Sequence, residues 1–250
     1  MIILKNNQEI QYMREAGRVV GQCLLQLEEV IKPGITTADI DKLAEEFITK
    51  QGARPSFKGY GGFPGSICAS INETVVHGIP SNKKVLKEGD IISIDCGACL
   101  EGFHGDAART FPVGNVSKEA MELIKVTEES FFKGIEKALI GNKLTDISHE
   151  IQSFAESYGY SIVRDYVGHG IGKKLHEDPE VPNFGKPGRG PKLVSGMVLA
   201  IEPMINMGQC YVRTQSDGWT VITADKSLSA HYENTVAILP QGPEILTLIK

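Results

Sequence analysis

At 250 residues, with 41% hydrophobic side chains and a formal net charge of −5, the chain has the size and composition of one globular α/β domain. The acidic balance excludes a basic nucleic-acid footprint, and no apolar run approaches the roughly 18 residues of a membrane span. Five scattered cysteines suit a reducing cytoplasm rather than a disulfide scaffold, and Met1-Ile2-Ile3-Leu4-Lys5 is too short for the apolar core of an export signal.

Asn6 and Glu9 have the spacing of a capping box and predict a helix to about Val30, ended by Pro33-Gly34. Thr37 opens a second helix that stops at Gly52. Tyr60-Gly61-Gly62-Phe63-Pro64-Gly65 is rich in glycine but lacks the lysine of a phosphate loop and the spacing of a dinucleotide fingerprint. With Phe57, Cys68 and the single tryptophan, Trp219, it supplies material for an apolar pocket. Ile91-Ile92-Ser93-Ile94-Asp95 reads as an apolar strand ending on a carboxylate. A hairpin tip near Leu100-Glu101-Gly102 should bring Asp106 about opposite Asp95, where two carboxylates repel unless a cation lies between them. Cys96-Gly97-Ala98-Cys99 falls in that hairpin rather than at a helix start, so small buried thiols are expected instead of a redox motif. Ser117 opens a long helix closed by Gly141-Asn142, and Thr145 opens another that ends at Gly159.

Gly168-His169-Gly170 reads as a turn whose glycines let backbone and substrate approach closely. Val198-Leu199-Ala200-Ile201-Glu202 is a second apolar strand ending on a carboxylate, and His231-Tyr232-Glu233-Asn234-Thr235-Val236 contains a third. A charge in such a strand costs several kcal/mol unless it is paired or bound to metal. Asp95, Asp106, His169, Glu202 and Glu233 therefore form a candidate ligand set, suited to two divalent ions that share bridging carboxylates. His77 and His176 stand in loops after apolar stretches as candidate catalytic residues, and His104 and His231 flank the carboxylates as candidate supports. Shifting the sequence by 107 residues places Asp39-Ile40 on Asp146-Ile147, Gly89 on Gly196, and Ile94-Asp95 on Ile201-Glu202. One domain over 1–250 is expected, built of two similar halves, about 1–114 and 115–250, with the metals where they meet.

Taken together, five segments resemble the type I methionine aminopeptidases in their short bacterial form, a branch of peptidase family M24 in the pita-bread metallopeptidase superfamily. They are Asn72-Glu73-Thr74-Val75-Val76-His77-Gly78-Ile79-Pro80, the Ile94-Asp95 to Gly105-Asp106 hairpin, Gly168-His169-Gly170-Ile171-Gly172, Ile201-Glu202-Pro203-Met204 and Tyr232-Glu233-Asn234-Thr235. The resemblance implies a pita-bread α/β (α+β) fold, with two αβ halves related by a pseudo-two-fold axis, a central antiparallel sheet and outer helices. It implies two divalent ions, whether Co, Mn, Fe(II) or Zn: Asp95 on the first, His169 and Glu202 on the second, Asp106 and Glu233 bridging. Glu202 would also shuttle a proton, His176 would hydrogen-bond the developing oxyanion, and His77 would contact the scissile amide or the next residue. Phe57, Tyr60, Phe63, Cys68, Leu175 and Trp219 match the methionine pocket, Leu175 replacing a frequent aromatic and Phe57 a smaller residue. The implied reaction is removal of initiator methionine from nascent chains in the cytoplasm when the second residue is small. A monomer is expected that binds neither nucleic acid by itself nor membrane, with ribosome docking left open. An X-Pro peptidase of the same superfamily, or a binding module that has lost catalysis, are the competing expectations.

Overall fold

A computed structural model describes residues 1–249. Among them are four α-helices and a set of short strands whose pairings are all antiparallel. Helix α1 (Asn7–Val30) starts at the predicted capping box, with the Asn6 side chain accepting from the Gln8 and Glu9 N–H groups and Glu9 accepting from the Asn6 N–H. Helix α2 (Thr37–Lys50) starts at Thr37 as expected and is capped by Thr36. The Thr37 hydroxyl is used instead to hold the Ser81 backbone. Helix α3 (Lys118–Ile135) ends well before Gly141-Asn142, because that dipeptide leaves the helix to bond the backbone of Leu193. Helix α4 (Leu144–Ser157) begins one residue before Thr145, with the Lys143 N–H at its cap donating to Asp146.

The 107-residue repeat of the sequence reappears in the hydrogen bonds. Gly34 N–H donates to the Leu86 carbonyl at 2.8 Å, and Gly141 N–H donates to the Leu193 carbonyl at 3.0 Å. Leu86 donates back to Ile35 at 2.9 Å, and Leu193 to Asn142 at 2.8 Å. The isolated bridge Thr36–Val85 likewise has its counterpart in Lys143–Lys192. Two buried clusters follow the same division: one spans Val19 to Val113, and the other, Ile91 apart, spans Ala120 to Ile238.

The antiparallel layer is divided into four hydrogen-bonded sheets. The long hairpin of strands Ile91–Leu100 and Phe103–Pro112 turns on Glu101 and Gly102, both at positive φ, as a two-residue turn requires. Helix α1 lies directly on this hairpin. A side chain at Gly105 would strike the backbone of Gly17 at 2.8 Å, so the glycine at 105 permits the contact. A second sheet orders Gly242–Ile245, Asn234–Leu239, Val198–Ile201, Gly168–Gly170 and Glu177–Val181. No helix among the described residues is long and apolar enough to cross a membrane.

Before the first helix, Lys5 reaches inward. Its Nζ donates to Glu177 at 2.6 Å with both side chains only 3% exposed, tying the amino-terminal segment to the loop that carries Leu175 and His176. Breaking a buried pair from one side leaves an uncompensated charge and costs about 3–5 kcal/mol. Lys5→Ala should therefore lower the thermal midpoint by several degrees in a calorimetric scan, and a midpoint within a degree of wild type would show the pair to be energetically idle.

Candidate metal centre

The hairpin register fixes the first two carboxylates. Asp95 lies opposite Ala108 and Asp106 opposite Gly97, so they are diagonal neighbours on one face rather than direct partners as expected. Two residues separate them because the turn pairs Leu100 with Phe103. His169 sits in a strand, not a turn. The glycines around it allow that strand to pass between two others: a side chain at Gly168 would strike the Ala200 carbonyl, and one at Gly170 the Asp178 carbonyl. Glu202 follows the end of strand Val198–Ile201, its carbonyl held at 2.9 Å by the Asn183 amide. The predicted continuous strand 231–236 is broken. Ser229–His231 and Asn234–Leu239 belong to different sheets, and Glu233 occupies the break.

That break is braced against the hairpin by three reciprocal links. Ala108 and Glu233 exchange backbone hydrogen bonds at 3.3 and 3.0 Å. On either side a threonine hydroxyl is inserted: Thr235 Oγ1 accepts from Asp106 N–H and donates to its carbonyl, both at 2.9 Å. Thr110 Oγ1 does the same for His231, again at 2.9 Å in both directions. The Arg109 guanidinium closes the brace on the Glu233 carbonyl at 2.6 Å and the Asn234 side chain at 2.7 Å. These supports escaped the sequence reading, since each needs a partner more than a hundred residues away.

Two clusters of donor atoms result, Asp106–His169–Glu233 and Glu202–His231–Glu233, sharing Glu233. Asp95 adjoins them through its hydrogen bond with Asp106. Within the group, Asp95 Oδ1, Asp106 Oδ1, Glu233 Oε1 and His231 Nε2 are buried without a hydrogen-bond partner. His169 Nδ1 faces the Gly170 carbonyl at 2.9 Å and must donate to it, which leaves Nε2 a bare lone pair facing Glu202 Oε1 at 3.7 Å. Acceptors facing acceptors in a dry site repel unless a cation lies between them, so the donor set fits divalent metal.

Burial drives the electrostatics. It raises the Asp95 carboxyl to about 7, against the lowering effect of its hydrogen bond with Asp106. Burial, then the neighbouring carboxylates, push Asp106, Glu202 and Glu233 well above their ordinary range. Burial also lowers His169 and His231 to about 3 and His77 to about 4, so all three imidazoles are neutral at pH 7 and free to act as ligands or acceptors. In the metal-free protein the raised carboxyls hold protons that an unfolded chain releases above pH ~4. Their stabilisation is greatest at low pH and is lost as pH rises through the native values, the Asp95 share being gone once pH passes about 7. The depressed histidines act in the opposite sense, and their gain is complete by pH ~6.5. Metal must expel the held protons to bind, so excess Mn(II) should raise the thermal midpoint more at pH ~8 than at pH ~6. An Mn(II) gain that shrinks between those two pH values would contradict this electrostatic assignment.

Above the carboxylates opens a cavity of about 680 Å³. Phe57, Tyr60, Phe63, Cys68, His77, Leu175, His176 and Trp219 all line it together with Asp95, Asp106, His169, Glu202 and Glu233. Phe63 meets Trp219 edge-on at 5.2 Å, and His77 lies 6.4 Å from the same indole. His77 adopts positive φ, a costly conformation for a side-chain-bearing residue. His176 packs edge-on against His169 at 4.3 Å, with Nδ1 at 2.7 Å from the Tyr60 hydroxyl. Val76, Tyr166 and Met204 complete the apolar wall. They were not singled out in the sequence, although Val76 and Met204 lie inside the segments that carry the resemblance. His104 is paired at 2.8 Å with Ser56. Cys96 and Cys99 are buried free thiols.

Residues 11–240 match the model of metallopeptidase family M24. The methionine aminopeptidase of Clostridium acetobutylicum is 71% identical over 99% of each chain. The crystal structure of the methionine aminopeptidase of Thermotoga maritima superposes with a TM-score of 0.98 at 47% identity, covering all of both chains. The prolidase of Pyrococcus furiosus shares the fold at a TM-score of 0.80 and 24% identity, over 99% of this chain and 66% of that one. The fold is thus the pita-bread arrangement, and the chain belongs to metallopeptidase family M24, on its methionine aminopeptidase branch.

Proposed function

We propose that the cavity removes the amino-terminal methionine from nascent proteins and peptides whose second residue is small. The observation that carries this reading is a pair of donor clusters sharing Glu233 at the floor of an apolar cavity. Asp95 would hold one divalent ion, His169 and Glu202 the other, and Asp106 and Glu233 both. Divalent metal held by these residues would supply Lewis acidity, for the substrate carbonyl and for a water able to act as nucleophile near neutral pH. Glu202 takes the proton from the attacking water and passes it to the departing amine. His176 hydrogen-bonds the carbonyl oxygen as charge develops on it. His77, beside Trp219 and Tyr166, meets the scissile amide and crowds the space for the second side chain. Phe57, Tyr60, Phe63, Cys68, Leu175 and Trp219 enclose an unbranched thioether without burying an unpaired polar group. Co, Mn, Fe(II) and Zn all suit the donor set. The two halves, about 1–114 and 115–250, form one domain, a reading supported by the hydrogen bonds repeated at 107 residues. Cytoplasmic nascent chains are the natural substrates, met by a monomer.

Release of free amino acid from matched tripeptides tests the specificity. Met-Ala-Ser should be cleaved, with Met-Lys-Ser and Leu-Ala-Ser at least ~10-fold worse in kcat/KM, since one methylene in an apolar pocket is worth ~1–3 kcal/mol. Equal rates for Met-Ala-Ser and Met-Lys-Ser, or a preference for Ala-Pro peptides, would overturn the reading.

A further inference from the structure

His231 has no part in the five-ligand set, yet its placement matches that of a ligand. The imidazole is 1% exposed, and its Nε2 is buried with no hydrogen-bond partner. That nitrogen faces Glu202 Oε2 at 3.7 Å and Glu233 Oε2 at 3.9 Å. Both distances are too long for a hydrogen bond. Donor atoms on one ion with bonds of ~2.0–2.2 Å stand roughly 3.0–3.5 Å apart, so a shift of a few tenths of an ångström would bring all three onto a shared cation. His169 gives the standard of comparison, because its Nε2 lies at the same 3.7 Å from the other oxygen of Glu202. Glu202 is therefore flanked by two imidazoles, one on each carboxylate oxygen. The backbone of His231 is fixed by the Thr110 hydroxyl on its N–H and its carbonyl, and by strand pairing with Met204. The ring is thus held against the carboxylates and not left to swing.

We infer that His231 is a sixth protein ligand, completing with Glu202 and Glu233 the coordination of one divalent ion. The inference rests on the two-ion reading above and extends it with a second imidazole. A carboxylate-rich centre with two imidazoles is softer than one with a single imidazole, and it should favour Co(II), Fe(II) or Zn(II) over Mn(II) more strongly.

Titration of metal-depleted protein with Co(II), followed by calorimetry and proton NMR, tests it. Wild type should take up two equivalents and show paramagnetically shifted ring protons from two imidazoles. His231→Gln, close in length and still polar, should lose one set of shifted signals and weaken one of the two binding steps by at least roughly 10–100-fold, leaving the other step unchanged. The wild-type spectrum alone decides the ligand count should the variant fold poorly. Two equivalents with shifted signals from one imidazole only, or unchanged binding steps in His231→Gln, would overturn the ligand assignment and leave the two-ion reading standing. Uptake of a single equivalent by wild type would overturn both.

Discussion

Glu233→Gln and Asp106→Asn should each abolish peptidase activity at limiting metal. Glu233 is common to both donor clusters and 2% exposed, and Asp106 is 3% exposed with an unpartnered Oδ1. Each amide keeps the shape and removes the charge that two cations would share. Loss of a ligand or its support costs at least ~10–100-fold in metal affinity or activity, and a shared ligand weakens both ions. The fold should survive. The links from Glu233 to the hairpin run through its backbone, and Thr235 braces Asp106 through the backbone as well. Burial and neighbouring carboxylates disfavour the Glu233 charge in the metal-free protein, so the amide should unfold no earlier than wild type without metal at pH 8. It should lose most of the thermal stabilisation that Mn(II) gives to wild type. Activity within a factor of a few of wild type at limiting metal would refute the shared-ligand role.

His176→Ala should lower kcat by roughly 10²–10³ while changing KM far less and leaving metal content intact. Burial lowers the His176 imidazole from its ordinary value, so the ring is neutral at pH 7. With the Tyr60 hydroxyl assigned as donor to Nδ1, Nε2 carries the proton that a developing oxyanion would accept. Tyr60→Phe removes that orientation and not the donor, so its effect on kcat should be smaller. A His176→Ala protein that keeps its kcat but has lost metal would exchange the roles of His176 and His169.

Much of this site was readable in one dimension because charges are conspicuous in apolar strands. Asp95, Glu202 and Glu233 stand out in sequence, and the Glu101-Gly102 tip fixes where Asp106 returns. The diagonal offset of Asp95 and Asp106 depends on the exact turn, since pairing Leu100 with Phe103 sets every later register. Flanking glycines usually mark a turn, which is what the sequence predicts at His169. Here they let a strand thread between the backbones of Ala200 and Asp178, and nothing local to Gly168 or Gly170 announces those neighbours. The break at Glu233 was invisible for a related reason. Residues 231–236 have good strand propensity, but the Thr110 hydroxyl holds the His231 backbone and the segment's own Thr235 hydroxyl ties it to the Asp106 backbone. Gly141-Asn142 has the sequence of a C-cap for helix α3, but its backbone hydrogen bonds are made with Leu193 and the helix ends earlier.

As the proposed metal centre, the carboxylate and imidazole cluster beneath the cavity would release amino-terminal methionine. Methionine liberated from Met-Ala-Ser, measured beside bound metal as Mn(II) is added to metal-depleted protein, tests this most directly. Release should be absent without metal, rise with occupancy and level off by two equivalents. Full release from protein that holds no metal, or two bound equivalents with no release, would contradict it.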